Sequence, residues 1–181
     1  MKIRLAADFQ TDSIVDGVGI RTVIWTQGCS HNCPGCHNPS THDFKGGELV
    51  ELKDALNALE ELQGQTGITL SGGDPFFQAK QCALLAKKAH ELKMNVWAYT
   101  GFTYDELINS NNKNIKELLF EIDVLIDGKF EQDKKSLDCP FRGSSNQRII
   151  DVKKSIDNHE VILYDLNQTN KETTKKEYIY I

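Results

Sequence analysis

The sequence predicts an α/β chain built as an open, partial TIM-type barrel of parallel βα units. Three observations carry this. Short β-branched or apolar runs alternate with helical stripes about four times along the chain, the pattern of a parallel sheet with right-handed crossovers. The strongest run, TVIWT at 22–26, leads straight into a loop rich in glycine and cysteine. That puts the loop at the C-terminal end of a strand, where catalytic loops sit in βα architectures. Finally, the chain has 181 residues, whereas a closed eight-fold barrel takes about 250. An open side leaves room for a large substrate.

The elements follow in order. Residues 2–6 form a first short strand, and 12–21 (DSIVDGVGIR) is a tight glycine-bearing loop. After the strand at 22–26 and the cysteine loop, 51–63 carries Leu52, Ala55, Leu56, Leu59 and Leu62 at helical spacing. A short strand at 68–70 ends in Ser71-Gly72-Gly73-Asp74-Pro75, a second glycine turn in the same βα position. The helix at 78–93 bears Cys82, Leu85, Ala86, Ala89 and Leu92 on one stripe. NVWAYT at 95–100 is the next strong strand, and Thr103 with Glu106 makes a capping-box start for a short helix. Residues 115–121 are helical, and 123–126 (DVLI) is a fourth buried strand ending at Asp127-Gly128-Lys129. Strands are expected at 147–152 and 160–164, followed by a polar, lysine-rich stretch at 167–177 and a terminal YIYI. No repeat or linker divides the chain, so residues 1–181 are expected to form a single domain.

Composition sets the class. Hydrophobic residues make up 39% and charged residues 26%, the balance of an ordinary globular protein. No apolar run approaches the roughly 20 residues that cross a bilayer, and MKIRLAADFQTD turns polar too soon for a signal peptide. A cytoplasmic protein without membrane partners is expected. The net charge of −5 and pI near 5.5 argue against a mainly electrostatic nucleic-acid binder.

In that compartment, clustered cysteines point to metal binding or catalysis rather than to disulfides, and an odd count of five points the same way. Three of them, Cys29, Cys33 and Cys36, fall within 28–40, GCSHNCPGCHNPS. They read as one ligand set, with three interpretations. A structural zinc site takes a fourth ligand, for which His37 is the candidate, although it adjoins Cys36 and no second ligand pair exists. Unrelated buried thiols are the second and weakest reading. The third is an iron–sulfur cluster with three protein ligands: full thiolate ligation of a four-iron cluster takes four cysteines, so three leave one iron open. Cys82 belongs to an apolar stripe and reads as core, and Cys139 is a loop thiol with no assigned role.

The CxxxCxxC triplet following a strand resembles the signature of radical S-adenosylmethionine enzymes. The resemblance implies that Cys29, Cys33 and Cys36 hold a [4Fe-4S] cluster whose open iron is chelated by the methionine amino and carboxylate groups of S-adenosyl-L-methionine. Gly72-Gly73-Asp74-Pro75 is similar to that family's GGE-type turn, which implies that backbone near Gly73 receives the methionine amino group. Asp127-Gly128-Lys129 resembles a further strand-end contact of the glycyl-radical activating branch. DGVGIRTVIWTQGC is similar to that branch's DGPGIR...QGC opening, with Val18 in place of proline, and CHN continues it. CPGCHNPST and RGSSNQRIIDV (142–152) look like the activating proteins of anaerobic ribonucleoside-triphosphate reductase.

This resemblance runs in order from about 16 to 152 and implies several further features. The activity is installation of a glycyl radical on the reductase's glycyl-radical subunit, with reduced flavodoxin or a similar donor supplying electrons. The cofactor contacts are Gly35, Cys36, His37, Gly72, Gly73 and Asp127. The family's usual aromatic before the third cysteine is Gly35 here, so adenine is met by backbone or by His37. His37 reads equally as a loop histidine bonded to backbone. Arg142 and Arg148 read as partner contacts or, more simply, as surface ion pairs. Other candidate functions are activation of another glycyl-radical enzyme such as pyruvate formate-lyase, small-molecule radical chemistry of the queuosine-pathway type, and a zinc-stabilised binding module. Five cysteines exclude additional ferredoxin-like clusters.

Overall fold

In the computed structural model, which describes residues 1–167, the elements follow the predicted alternation. They run β1 (Lys2–Leu5), β2 (Gln10–Ser13), β3 (Arg21–Thr26), β4 (Glu48–Glu51), α1 (Leu52–Glu60), β5 (Gly67–Gly72), α2 (Ala79–Glu91), β6 (Asn95–Tyr99), α3 (Tyr104–Ile108), α4 (Lys113–Phe120), β7 (Val124–Asp127), β8 (Arg148–Asp151) and α5 (Val152–Asn158). The polar stretch from 168 onward and the terminal YIYI lie outside the described residues.

Among the described residues the strands share one eight-stranded sheet, ordered β4-β1-β3-β5-β6-β7-β8, with β2 pairing β3 beside this path. The centre matches expectation: β3, β5, β6 and β7 pair in parallel and in chain order. The flanks do not. β1, β2, β4 and β8 all pair antiparallel, so the sheet is mixed rather than a run of βα units throughout. Residues 160–164 also depart from the predicted strand. They touch β8 through an isolated bridge, Ile150 to Leu163. Asp151 N–H donates to Ile162 O and Tyr164 N–H to Ile149 O, whereas the Ile162 N–H goes to Ser155 Oγ of α5 at 2.9 Å.

Alternation along the strands sorts side chains onto two faces. One face carries Ile24, Ile68, Leu70, Val96, Ala98, Leu125 and Ile150, packed against Leu59 of α1, Leu85 of α2 and Leu118 of α4. Cys82 sits fully buried in this layer, as expected for a core thiol, and burial pushes its pKa up. The other face has no helical cover. Trp97, Val124, Ile126 and Ile149 cluster there with Val18, Tyr99, Phe141 and Tyr164 supplied by strand and loops.

Arg21 belongs to that second face and is fully buried. Its guanidinium donates to Thr69 Oγ1 (2.7 Å), Asn95 Oδ1 (2.8 Å) and the carbonyls of Val18 and Ile68, with the Trp97 ring 5.3 Å away. Desolvation brings its pKa down to about 10, which leaves it charged at neutral pH. It fastens the 14–20 loop to β5 and β6. No described helix is long and apolar enough to cross a membrane.

The capping box expected at Thr103 is formed: Glu106 N–H donates to Thr103 Oγ1 and Thr103 N–H to Glu106 Oε2. Core packing dominates stability. Leu85→Ala, at a position with no solvent exposure, should therefore lower the unfolding free energy by about 2–5 kcal/mol, measured by urea denaturation of the metal-free protein.

Candidate functional site

The C-terminal ends of β3, β5, β6 and β7 open onto one cavity of about 430 Å³, a volume in the usual range for a small-molecule site. Trp25 on β3, Ser71 and Gly72 on β5, Tyr99 on β6 and Gly128 after β7 all face it. It lies on the sheet face that the helices leave uncovered. Cys29, Cys33 and Cys36 line this cavity together with Gly72, Gly73 and His37.

The cysteine loop is tied at its stem. Gly28 N–H donates to Thr41 O at 2.8 Å and Cys29 N–H to His42 O at 3.1 Å. The buried Gln27 amide reaches Ser40 O and Asp43 O. Between these ties, Cys36 N–H donates to Cys33 O, turning the CPGC segment back on itself. All five cysteines are free thiols.

Burial raises the Cys29 pKa, and Asp74, Cys33 and Cys36 add to the rise, while the His31 backbone N–H facing the sulfur opposes it. Cys33 is likewise raised, chiefly by burial, with the Phe130 backbone N–H acting against the rise. These thiols share an electrostatic environment, and as thiolates they would repel one another. Among the described residues no three cysteine, histidine or acidic side chains stand close enough to hold a metal ion as placed.

Main-chain hydrogen bonds hold the second glycine turn against the stem of the cysteine loop. Gly73 N–H donates to Thr26 O at 2.7 Å and Asp74 N–H to Gly28 O at 3.0 Å. Gly72 has φ +100, and a Cβ there would come within 2.4 Å of Thr26 O; one on Gly73 would come within 2.5 Å of Gly28 O. Real Cβ atoms do not approach that closely, so neither position accepts a side chain. The glycines thus answer first to the neighbouring strand end, and their other side borders the cavity.

Two residues expected at the cofactor stand elsewhere. Gly35 does not line the cavity. It is exposed, turns at φ +71, and a Cβ there would meet the Gln132 side chain. Asp127 is buried with its carboxylate engaged: it accepts from Tyr104 N–H at 2.8 Å and from Arg148 Nε at 3.0 Å and Nη2. The adjoining Gly128 reaches the cavity instead. Arg148 is accordingly an internal ion-pair partner. Arg142, by contrast, lines the cavity. One guanidinium nitrogen donates to Gln147 O at 3.0 Å, and its buried Nε has no hydrogen-bond partner among the described residues.

Several site residues were not evident from the sequence. Phe130 lines the cavity with its ring 4.8 Å from that of His37. Gln147 knots the RGSSNQR segment, accepting from Gly143 N–H and donating to Gly128 O, both at 2.9 Å. His31, between the first two cysteines, contacts Asp74 at 2.8 Å. The signals were present as a histidine inside the cysteine motif and an acid directly after the glycines, but neither declares a partner 43 residues away. Removing Arg148 would strand the Asp127 carboxylate, whose side chain is 2% exposed. Arg148→Met should cost about 2 kcal/mol, less than for a fully enclosed pair because 35% of the Arg148 side chain meets solvent; urea denaturation measures it.

Residues 15–150 match a family model described as a 4Fe-4S single cluster domain. The anaerobic ribonucleoside-triphosphate reductase-activating protein of Pasteurella multocida (strain Pm70) is 38% identical over 149 residues, covering 78% of this chain and 92% of that one. The protein of the same description from Escherichia coli (strain K12) is 37% identical over 143 residues, covering 74% and 90%. The one from Enterobacteria phage T4 is 33% identical over 145 residues, covering 75% and 86%. Among solved structures, QueE from Escherichia coli aligns over 57% of this chain and 54% of that one, with a TM-score of 0.46 and 14% identity. With three thiols and a glycine turn on one cavity and this likeness over three quarters of its length, the chain belongs to the family of anaerobic ribonucleoside-triphosphate reductase-activating proteins.

Proposed function

We propose that this protein is a radical S-adenosylmethionine activase that installs a glycyl radical on anaerobic ribonucleoside-triphosphate reductase, working as a single domain with an open-barrel core. One observation carries the reading: the CxxxCxxC thiols and the Gly72-Gly73 turn line the same cavity at the C-terminal strand ends. The donor set suits a [4Fe-4S] cluster. Cys29, Cys33 and Cys36 supply three thiolates from one loop, and two of the sulfurs already face backbone N–H groups, from His31 and Phe130. Such N–H donors stabilise added negative charge on a cluster's sulfurs. No fourth cysteine lines the cavity, which leaves one iron for the cofactor.

A cluster held by Cys29, Cys33 and Cys36 would supply one electron for cleavage of the S–C5′ bond of S-adenosyl-L-methionine, which releases methionine and leaves a 5′-deoxyadenosyl radical able to take a hydrogen atom from a glycine of the partner. The chain's own residues bind, orient and shield. Backbone at Gly72 and Gly73 offers polar groups to the methionine end. His37 and Phe130, their rings tilted against each other on the cavity wall, offer the aromatic surface that Gly35 cannot provide for adenine. Arg142, with its Nε unpartnered, offers a donor to an anionic or carbonyl group in the same space. The mouth of the cavity at the strand ends admits the partner's glycine-bearing segment. Reduced flavodoxin or a similar protein serves as electron donor.

The test is anaerobic reconstitution with iron and sulfide, followed by addition of S-adenosyl-L-methionine, reductant and the reductase. The expected results are 5′-deoxyadenosine and a glycyl radical signal on the reductase by electron paramagnetic resonance. Cys33→Ala should abolish both, because two thiolates do not retain an oriented cluster. A colourless protein holding zinc and no iron after reconstitution would sink the proposal. A radical signal on pyruvate formate-lyase alone would move the activity to that partner.

A further inference from the structure

We propose that His31 is a positioning residue: clamped on Asp74, it fixes the cysteine loop to the glycine turn, so that cluster ligands and cofactor contacts keep one spacing. The inference rests on the cluster reading given above and adds a residue to it. His31 lies between Cys29 and Cys33, and its side chain is only 8% exposed. An enclosed histidine is ordinarily just packing, but the partners here indicate more.

Asp74 is 1% exposed and directly follows Gly72-Gly73. Its Oδ1 accepts from Phe76 N–H at 2.9 Å, capping the 3-10 turn at Pro75–Gln78. Its Oδ2 accepts from Thr100 Oγ1 (2.8 Å), Gly101 N–H (2.9 Å) and His31 Nε2 (2.8 Å). With an acceptor-only carboxylate, the hydrogen of that last contact belongs to Nε2. One oxygen thereby gathers donors from the cysteine loop and from the chain beyond β6, on an acid that terminates the β5 turn.

The imidazole has little freedom to leave. Phe102 meets it edge-on with centroids 4.5 Å apart, and Phe77 lies at 5.7 Å. Gly101 passes so close that a Cβ there would fall 2.4 Å from the ring. The His31 backbone N–H, in turn, faces the Cys29 sulfur. Displacing the ring thus moves a sulfur-directed donor, and outer contacts of this kind orient metal ligands and tune iron–sulfur clusters.

Three variants separate the roles. His31→Gln keeps an amide donor at the reach of Nε2, His31→Leu removes the donor but keeps bulk, and His31→Asn stops short of Asp74 without adding an apolar branch. The readouts are the rate of iron loss from the reconstituted protein to a chelator and the half-saturating S-adenosyl-L-methionine concentration for the change in the reduced cluster's paramagnetic signal. Leu and Asn should speed iron loss and raise half-saturation, each by about tenfold, while Gln stays close to wild type. Wild-type values for both Leu and Asn would overturn the proposal. So would Gln as impaired as Leu, since ring packing rather than the hydrogen bond would then be responsible. Failure of the wild type to respond to S-adenosyl-L-methionine would instead count against the activase reading, while the chelator rates would still judge His31.

Discussion

The site depends on a backbone contact that no side chain could share. Thr26 pairs with Gly72 at the ends of two parallel strands, and the chains remain in register one step beyond the sheet through Gly73 N–H to Thr26 O and Asp74 N–H to Gly28 O. A Cβ at either glycine would strike the opposing main chain. Parallel pairing makes both strands end at the same edge of the sheet, so the cysteine loop and the glycine turn emerge as neighbours. The cavity follows from that adjacency, as does the reach of His31 to Asp74.

The central strands were legible because they are buried on both faces. TVIWT, NVWAY and VLI are nearly continuous apolar or β-branched runs, as expected of parallel strands covered on each side. Of the flanking strands, β1 was legible at 2–6 but β2 and β4 were not. QTDS at β2 and ELVE at β4 expose most of their residues and carry no alternating apolar signal. Their extended form is set by the strands they pair with, and a sequence does not display its pairing partners. β8 was read as a strand, but its antiparallel direction follows from the long 128–147 connection folding back on β7.

The site divided along the same line. The cysteines and the glycine pair were visible because each is a short motif with its own spacing, and the thiols and glycines do share a cavity. Asp127 drew attention only because Asp127-Gly128-Lys129 resembles a strand-end contact of the activating branch. Its partner Arg148, one pairing step across the sheet, takes the carboxylate instead. The histidine that mattered to the loop geometry was likewise hidden by distance in sequence. His37 drew attention by adjoining Cys36, whereas His31 is defined by contacts with residues 74, 77 and 102.

The outer strand β4 has one further consequence. It exposes glutamates at both ends, Glu48 and Glu51, and only Glu51 is offset, by Lys2 and the terminal amine of the adjacent strand. A sheet margin with unpaired main-chain groups invites zipper-like growth between copies, and acidic side chains along it oppose that growth. Two copies meeting margin to margin would bring like charges together across the new seam. The margin is thereby discouraged from self-association.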